Sequence, residues 1–437
     1  MTDVHLWHPF ADMARVPGSE LTIVAGDGSW VTDDQGQRYL DASASLWYCN
    51  IGHGRAELAA AAASQMRRLA AYHTFDVFTN EPARELARRL AEMSPTGPGS
   101  AVFFTSGGSE AVDTAAKLAR RYWEARGEAQ RRLVIAREGA YHGTAAYGTS
   151  LAGIAPNRAG WGPLVREVAH VDADDPDALG EAFDRHRGKV AAFIGEPVRG
   201  AAGVYPPPPR YWERVQALCR EHDVLLIVDE VVTGFGRLGV PFACERFGIV
   251  PDLICAAKGI SSGYAPLGAV LSGARVRETL WSPEVGAVRH GYTYSGHPTA
   301  CAVALANLDV LEHESLYDRV RELEPVLSEQ LSSLAQHPLV EDVRTIGLLA
   351  AVELSAATRA SVPDLAERVT RRARAHGVLV RNLVGHSLQI SPPFVITVDE
   401  LGHLAQVLRT SLDQTAAELA DDSETPIATA GDHRQTA

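Results

Sequence analysis

Val224-Leu225-Leu226-Ile227-Val228-Asp229-Glu230 is an apolar run that ends in two carboxylates, and a second run, Leu253-Ile254-Cys255-Ala256-Ala257, ends in Lys258. Short, nearly continuous apolar runs are typical of strands that a parallel sheet buries on both faces. Two buried strand ends therefore present one aspartate and one lysine.

An aspartate and a lysine in these positions suit a cofactor that needs an amine anchor and an anionic partner. Pyridoxal phosphate (PLP) is such a cofactor: a lysine forms the Schiff base, and a carboxylate keeps the pyridine nitrogen protonated as an electron sink. A structural ion pair between Asp229 and Lys258 is the alternative, and other segments decide between the two.

Further apolar runs alternate with helical patterns from about residue 56 onward. They predict strands at 102–104, 133–135, 190–194, 225–228, 253–256 and 269–271. This alternation indicates an α/β protein with a mostly parallel central sheet covered by helices on both faces.

The two ends of the chain have a different pattern. Turn signals separate short runs at 20–24, 30–32 and 38–40, which predict an antiparallel meander. After residue 298 we expect a helix through 311, a strand at 348–354, a helix at 363–376 and a strand pair near 378–381 and 387–390. We therefore predict that segments 1–60 and 299–417 form a smaller α+β domain beside a large PLP-binding domain at 61–298, and that 418–437 is a disordered tail.

Composition excludes several classes of protein. The net charge of −13 over 437 residues makes a nucleic-acid partner improbable. No signal peptide is evident, and no apolar run approaches the roughly 20 residues that span a bilayer. Five cysteines without a CxxC pair indicate reduced packing residues, so we expect a cytoplasmic enzyme without a disulfide or a metal site.

A phosphate-binding segment follows the first predicted strand of the large domain. Ser106-Gly107-Gly108-Ser109 leads into an alanine-rich helix, where glycines let the backbone approach an anion and the helix dipole favours negative charge. A helix start made of serine and glycine is common, so this signal is weak alone. Tyr141, after a later strand and loop, is placed to cover a cofactor face.

Six motifs, in this order, resemble those of class III (subgroup II) aminotransferases. They are Ser106–Ala111, Tyr141-His142-Gly143, Gly195-Glu196-Pro197, Asp229 through Arg237, Lys258-Gly259 and Gly291 through Pro298. The resemblance runs from about residue 6 to 410. It implies PLP-dependent transferase fold type I, and a homodimer with active sites at the subunit interface.

The resemblance also implies a role for each matching residue. Lys258 would form the Schiff base and shuttle a proton, and Asp229 would pair with the pyridine nitrogen. Val231 and Tyr141 would cover the two faces of the cofactor ring. The phosphate would be held by Gly108, Ser109 and the partner subunit's Thr293. Glu196 would support Asp229.

Three positions indicate the branch of the family. The ornithine and γ-aminobutyrate branch has an arginine where Gln389 stands and a glutamate where Ala201 stands. Arg381 instead matches the mobile arginine of ω-transaminases, which grips a carboxylate in bidentate fashion. The alternative for Arg381 is a solvated surface residue.

Trp47 resembles the pocket tryptophan of ω-transaminases, and we expect an aromatic pocket made by Trp47, Tyr72, Phe75 and Tyr141. The predicted activity is ping-pong transamination from an amine or ω-amino acid to a small keto acid. The second candidate is a 7,8-diaminopelargonate synthase. Three positions that differ from the pattern of that enzyme argue against it: Phe10, Tyr48 and Thr144. A class III racemase or epimerase using the same lysine is a further alternative.

Overall fold

A seven-stranded sheet forms the centre of the computed structural model, which describes residues 5–424, with side chains through residue 421. Across the sheet the strands are β4 (Ala101–Thr105), β10 (Gly268–Ser272), β9 (Leu253–Ala256), β8 (Leu225–Asp229), β7 (Val190–Gly195), β5 (Leu133–Arg137) and β6 (Val168–Val171). β10 is antiparallel to both of its neighbours, and the other pairs are parallel. The mostly parallel α/β sheet is confirmed, although β6 was not predicted.

Helices connect these strands and cover the sheet. Their bounds are α2 (Ala56–Leu69), α3 (Glu81–Met93), α4 (Gly108–Ala125), α5 (Ala146–Leu151), α6 (Ala155–Arg158), α7 (Pro176–Arg185), α8 (Tyr211–Glu221), α9 (Ala243–Phe247) and α10 (Ala274–Leu280). In α4 the alanines at 111, 115 and 119 are fully buried, because small side chains let this helix lie close to the sheet. The first residue of α4 thereby reaches the edge at which β4 ends.

The two ends of the chain share a second sheet. Its strands are β1 (Ile23–Asp27), β2 (Trp30–Asp33), β3 (Arg38–Asp41) and β13 (Val378–Leu379). The predicted meander is antiparallel, and β13 pairs in parallel with β3. This pairing of segments more than 330 residues apart supports the smaller domain that we propose from both ends of the chain.

A third sheet belongs to the C-terminal segment alone. It contains β11 (Val340–Ile346), β12 (Leu349–Leu354), β15 (Ser387–Ile390) and β14 (Arg381–Leu383). The predicted strand pair at 378–381 and 387–390 is therefore divided. Residues 381–383 pair with β15, whereas 378–379 leave to join β3.

The remaining helices are α1 (Ala44–Trp47), a kinked turn, and α11 (Pro298–His313), α12 (Leu316–Ser332), α13 (Ala356–Ser361), α14 (Leu365–Ala375) and α15 (Val398–Glu424). The prediction of disorder from 418 is wrong for 418–424, which continue α15. Arg368 and Arg372 on α14 both pair with Glu418, and Leu419 packs against the core. Residues 425–437 of the predicted tail lie outside the described residues.

Two findings bear on the excluded classes. Across residues 5–424 no helix combines the length and the apolar character needed to cross a membrane. All five cysteines are buried as free thiols.

Candidate active site

One edge of the central sheet collects most of the predicted site residues. Asp229 is the last residue of β8, Lys258 follows β9 and Glu196 follows β7, and these three strands are adjacent. Gly108 opens α4 just beyond β4, on the other side of β10. Since carboxyl ends of parallel strands lie at the same edge, the strand order alone brings these residues together.

A cavity of about 580 Å³ opens at this edge. Its walls include nine of the ten predicted site residues, namely Trp47, Gly108, Ser109, Tyr141, Glu196, Asp229, Val231, Lys258 and Arg381. Thr293 is exposed and lies outside this cavity. Tyr72 and Phe75 are also exposed, at 46% and 48%, so within one chain the expected aromatic pocket is reduced to Trp47 and Tyr141.

Lys258 is held in an unusual backbone conformation at the floor of this cavity. Its φ angle is 52°, in the left-handed region that non-glycine residues seldom adopt. Burial lowers the pKa of its amine to about 8, an effect that the charges of Asp229 and Glu196 partly oppose. Roughly a tenth of the amine is therefore neutral at pH 7 and available as a base or nucleophile.

Asp229 is 5% exposed and has two donors. The imidazole Nδ1 of His142 lies 2.8 Å from Asp229 Oδ2, and the backbone N–H of Val231 donates to Oδ1 at 3.0 Å. These two contacts fix the direction of the carboxylate. We did not predict the contact with His142; its only sequence signal was the position directly after Tyr141.

Glu196 contacts backbone rather than Asp229. Its carboxylate accepts hydrogen bonds from the N–H groups of Tyr141 at 3.0 Å and Gly200 at 3.1 Å. Burial raises the pKa of this carboxyl group. Glu196 thus holds the Tyr141-His142 segment, and the support that it gives to Asp229 passes through that segment.

The start of α4 has room for an anion. A Cβ atom placed on Gly107 would meet nothing within 4 Å, whereas one on Gly108 would lie 2.9 Å from Val231 Cγ1. The Ser109 hydroxyl oxygen accepts from the N–H of Thr144 at 3.1 Å and keeps its own proton to donate. Open space, free backbone donors and the helix dipole together favour a phosphate group here.

Trp47 contacts both cationic side chains of the cavity. Lys258 Nζ is 4.9 Å from the centre of its ring, and Arg381 Cζ is 4.8 Å from it. Burial lowers the pKa of the Arg381 guanidinium, which has no carboxylate partner among the residues that the structure describes. Ala201 lines the same cavity without a charge, and Gln389 is buried away from it, donating to Ser391.

Two residues of the N-terminal segment complete the wall. Pro9 and Phe10 line the cavity on the side away from the sheet. The sequence indicates Phe10 only as a mismatch with one branch of the family, because nothing in this irregular segment indicates where it lies.

These residues fit PLP. The lysine with a lowered pKa suits the aldehyde of that cofactor, and the oriented carboxylate suits its pyridine nitrogen. The start of α4, where Gly107 leaves open space, suits its phosphate. Tyr141 and Val231 supply an aromatic and an aliphatic face in the same cavity.

The chain belongs to the class III aminotransferases, whose family description matches residues 13–412. A putrescine–pyruvate aminotransferase of Pseudomonas aeruginosa is 38% identical over 95% of both chains. An omega-aminotransferase of Caulobacter vibrioides is 36% identical over 93% of this chain and 97% of its own. An amine transaminase from an uncultivated Pseudomonas species, solved in the PLP-bound form, is 38% identical with a TM-score of 0.89, covering 94% of this chain and 99% of that chain.

The fold is therefore PLP-dependent transferase fold type I, and the protein is an enzyme that transfers an amino group from an amine to a keto acid. Class III aminotransferases depend on PLP, and the predicted resemblance to ω-transaminases is confirmed.

Proposed function

We propose that this enzyme is a PLP-dependent ω-transaminase in which Arg381 binds the carboxylate of the acceptor acid. The observation that carries the proposal is the placement of both cations against one ring, with Lys258 Nζ 4.9 Å and Arg381 Cζ 4.8 Å from the centre of Trp47. One cation is placed for amine chemistry and the other for acid recognition, within one cavity.

Lys258 and Asp229 act as the reacting pair in this proposal. PLP, when bound, supplies the electron sink that makes the substrate Cα–H acidic. The neutral amine of Lys258 would take the proton from this carbon and return it to the cofactor carbon. The fixed charge of Asp229 compensates the positive charge on the pyridine nitrogen throughout.

Arg381 serves the acid half of the cycle. Because no carboxylate of the described residues pairs with it, the guanidinium can accept a substrate carboxylate without breaking an existing ion pair. The uncharged Ala201 removes the competing glutamate that the γ-aminobutyrate branch has at this position. An amine without a carboxylate can enter when the arginine stays against Trp47.

We propose further that the enzyme is a cytoplasmic homodimer with Thr293 completing the partner's phosphate site. Thr293 is exposed, and an apolar surface near it includes Tyr72, Phe75, Phe78 and Tyr294, each at least 46% exposed. An exposed apolar patch of this kind is typical of a subunit interface. The five buried free thiols suit a reducing compartment.

The experiment that tests this function is a panel of amines assayed with pyruvate and with 2-oxoglutarate. We expect turnover with primary amines and ω-amino acids and with at least one of the two acids. Incubation with amine alone separates the alternatives: a transaminase converts its cofactor to pyridoxamine phosphate in stoichiometric amount, whereas a racemase leaves the spectrum unchanged.

A further inference from the structure

The turn that carries Trp47 is strained. Ala44, Ser45 and Trp47 have φ angles of 45°, 57° and 62°, and none is a glycine. A Cβ atom disfavours this left-handed region, so three such residues within four positions persist only where neighbouring groups hold them. Leu46 and Trp47, at the end of this turn, both line the active-site cavity.

Asp41 is the group that holds this turn. Its Oδ1 accepts from the backbone N–H of Ser43 at 3.2 Å and from the Ser43 hydroxyl at 2.9 Å. Its Oδ2 accepts from the backbone N–H of Ser45 at 2.6 Å and lies 2.9 Å from His53 Nε2. Asp41 is 2% exposed, and four contacts use all the acceptor positions of a carboxylate.

His53 in turn fixes Asp41 to the first hairpin. A Cβ atom on Gly26 would lie 2.8 Å from the His53 side chain, so the ring rests directly on the β1 backbone. The backbones of His53 and Gly28 also exchange two hydrogen bonds, at 2.8 and 3.1 Å. The carboxylate therefore has a rigid support on one side and the strained turn on the other.

We propose that Asp41 is a positioning residue for transamination: it holds the 43–47 turn so that the Trp47 ring stays beside Lys258 and Arg381. The proposal deepens the proposed function and rests on it. The turn follows β3 of the second sheet, whereas Gly108 and Asp229 lie at the edge of the central sheet. Release of the turn should therefore disturb the substrate side of the cavity and leave cofactor binding largely intact.

A double-mutant cycle between positions 41 and 47 tests this role. Asp41→Asn replaces one acceptor with an amide nitrogen that cannot accept from Ser43 or Ser45. We expect kcat/KM for the keto acid to fall roughly tenfold, since release of the strained turn displaces the ring. Trp47→Leu should cause a similar loss, and the double variant should be no worse than Trp47→Leu alone, because Asp41 acts through that ring.

The matched control is Asp34→Asn, which removes the same charge from the exposed turn between β2 and β3 and should leave kcat/KM unchanged. Additive losses in the cycle would overturn the proposal, because Asp41 would then act independently of Trp47. If Asp41→Asn fails to fold, Ser43→Ala removes only the hydroxyl, which contacts Asp41 Oδ1 at 2.9 Å and the Ser45 carbonyl at 3.1 Å, and enters the same cycle with a smaller expected loss. Arg381→Ala is measured separately, and an unchanged KM for the acceptor acid in that variant rejects the acid-binding role of Arg381. The role of Asp41 is decided by the coupling energy between positions 41 and 47.

Discussion

His142 Nδ1 lies 2.8 Å from Asp229 Oδ2, and both side chains are buried at the end of β8. The backbone N–H of Val231 binds the other carboxylate oxygen, so the direction of the Asp229 charge is set by the fold. A charge that is oriented before the ligand arrives needs no reorganisation during the reaction.

Asp229→Asn should retain the fold and lose activity. The amide is close to the same size, but it no longer compensates a protonated pyridine, and we expect kcat to fall by roughly 10²–10³-fold. Circular dichroism and the unfolding midpoint check the fold, and steady-state kinetics check the rate. Turnover within a few-fold of the parent enzyme would show that another group balances the charge.

Lys258→Ala should fold, bind PLP without a covalent bond and lose turnover. The methyl group offers no amine for the Schiff base and no base for the proton transfer. Borohydride reduction followed by mass analysis of peptides is the measurement. A reducible PLP linkage that persists in the variant would place the Schiff base on another lysine.

Lys258→Met should stabilise the cofactor-free enzyme in a pH-dependent way. The pKa of the folded-state amine, about 8, lies below its unfolded value near 10.5, so the folded state disfavours the charged form. This penalty is fully present below pH 8 and disappears as pH rises from 8 to 10.5, and it is on the order of 3 kcal/mol. Unfolding of both proteins at pH 7 and pH 10 measures it; a stability difference that is equal at both values contradicts the lowered pKa.

Arg381→Ala should slow the half reaction with the acceptor acid and leave the half reaction with a simple amine unchanged. Loss of a charge-assisted bidentate contact is worth roughly 1.5–3 kcal/mol, which corresponds to about a ten- to hundredfold loss in kcat/KM for the acceptor. Single-turnover absorbance measurements follow each half reaction, and Arg371→Ala on the exposed face of α14 is the control. Equal losses in both halves would mean that the arginine is structural.

The enzyme should sediment as a homodimer that PLP stabilises. If Thr293 completes the partner's phosphate site, the cofactor binds only the assembled form well and shifts the equilibrium toward it. Sedimentation velocity with and without PLP, over a range of protein concentrations, is the measurement. A monomer with full specific activity would refute the shared site.

The strands of the central sheet were largely predictable, because β7, β8 and β9 are nearly unbroken apolar runs. β6 was missed because Ala169 and His170 interrupt its four residues and leave no run to recognise. β1 was expected at 20–24 but spans Ile23–Asp27. Pairing with β2 recruits Gly26 and Asp27, which have low strand propensity.

The meeting of Asp229, Lys258 and the other cavity residues at one edge of the sheet was predictable from motifs, whereas their polar neighbours were not. His142 and Asp229 are 87 residues apart, and nothing local indicates which polar groups meet. The role of Asp41 was not predictable either, because it depends on the backbone angles of residues 44, 45 and 47, which a sequence does not reveal. The helix at 418–424 was missed because its ion pairs to α14 are also tertiary.

The position of β10 between β4 and β9 sets the span of the site. Because β10 lies between β4 and β9, the start of α4 and Lys258 lie two interstrand spacings apart, roughly 10 Å. That separation is built into the hydrogen-bond ladder, and Gly268 at its end lets the Gly107 carbonyl come close, since a Cβ there would lie 2.7 Å from that oxygen. Substitutions in either loop can therefore change the direction of a side chain. Only a change in the strand ladder itself can change the distance between the start of α4 and Lys258.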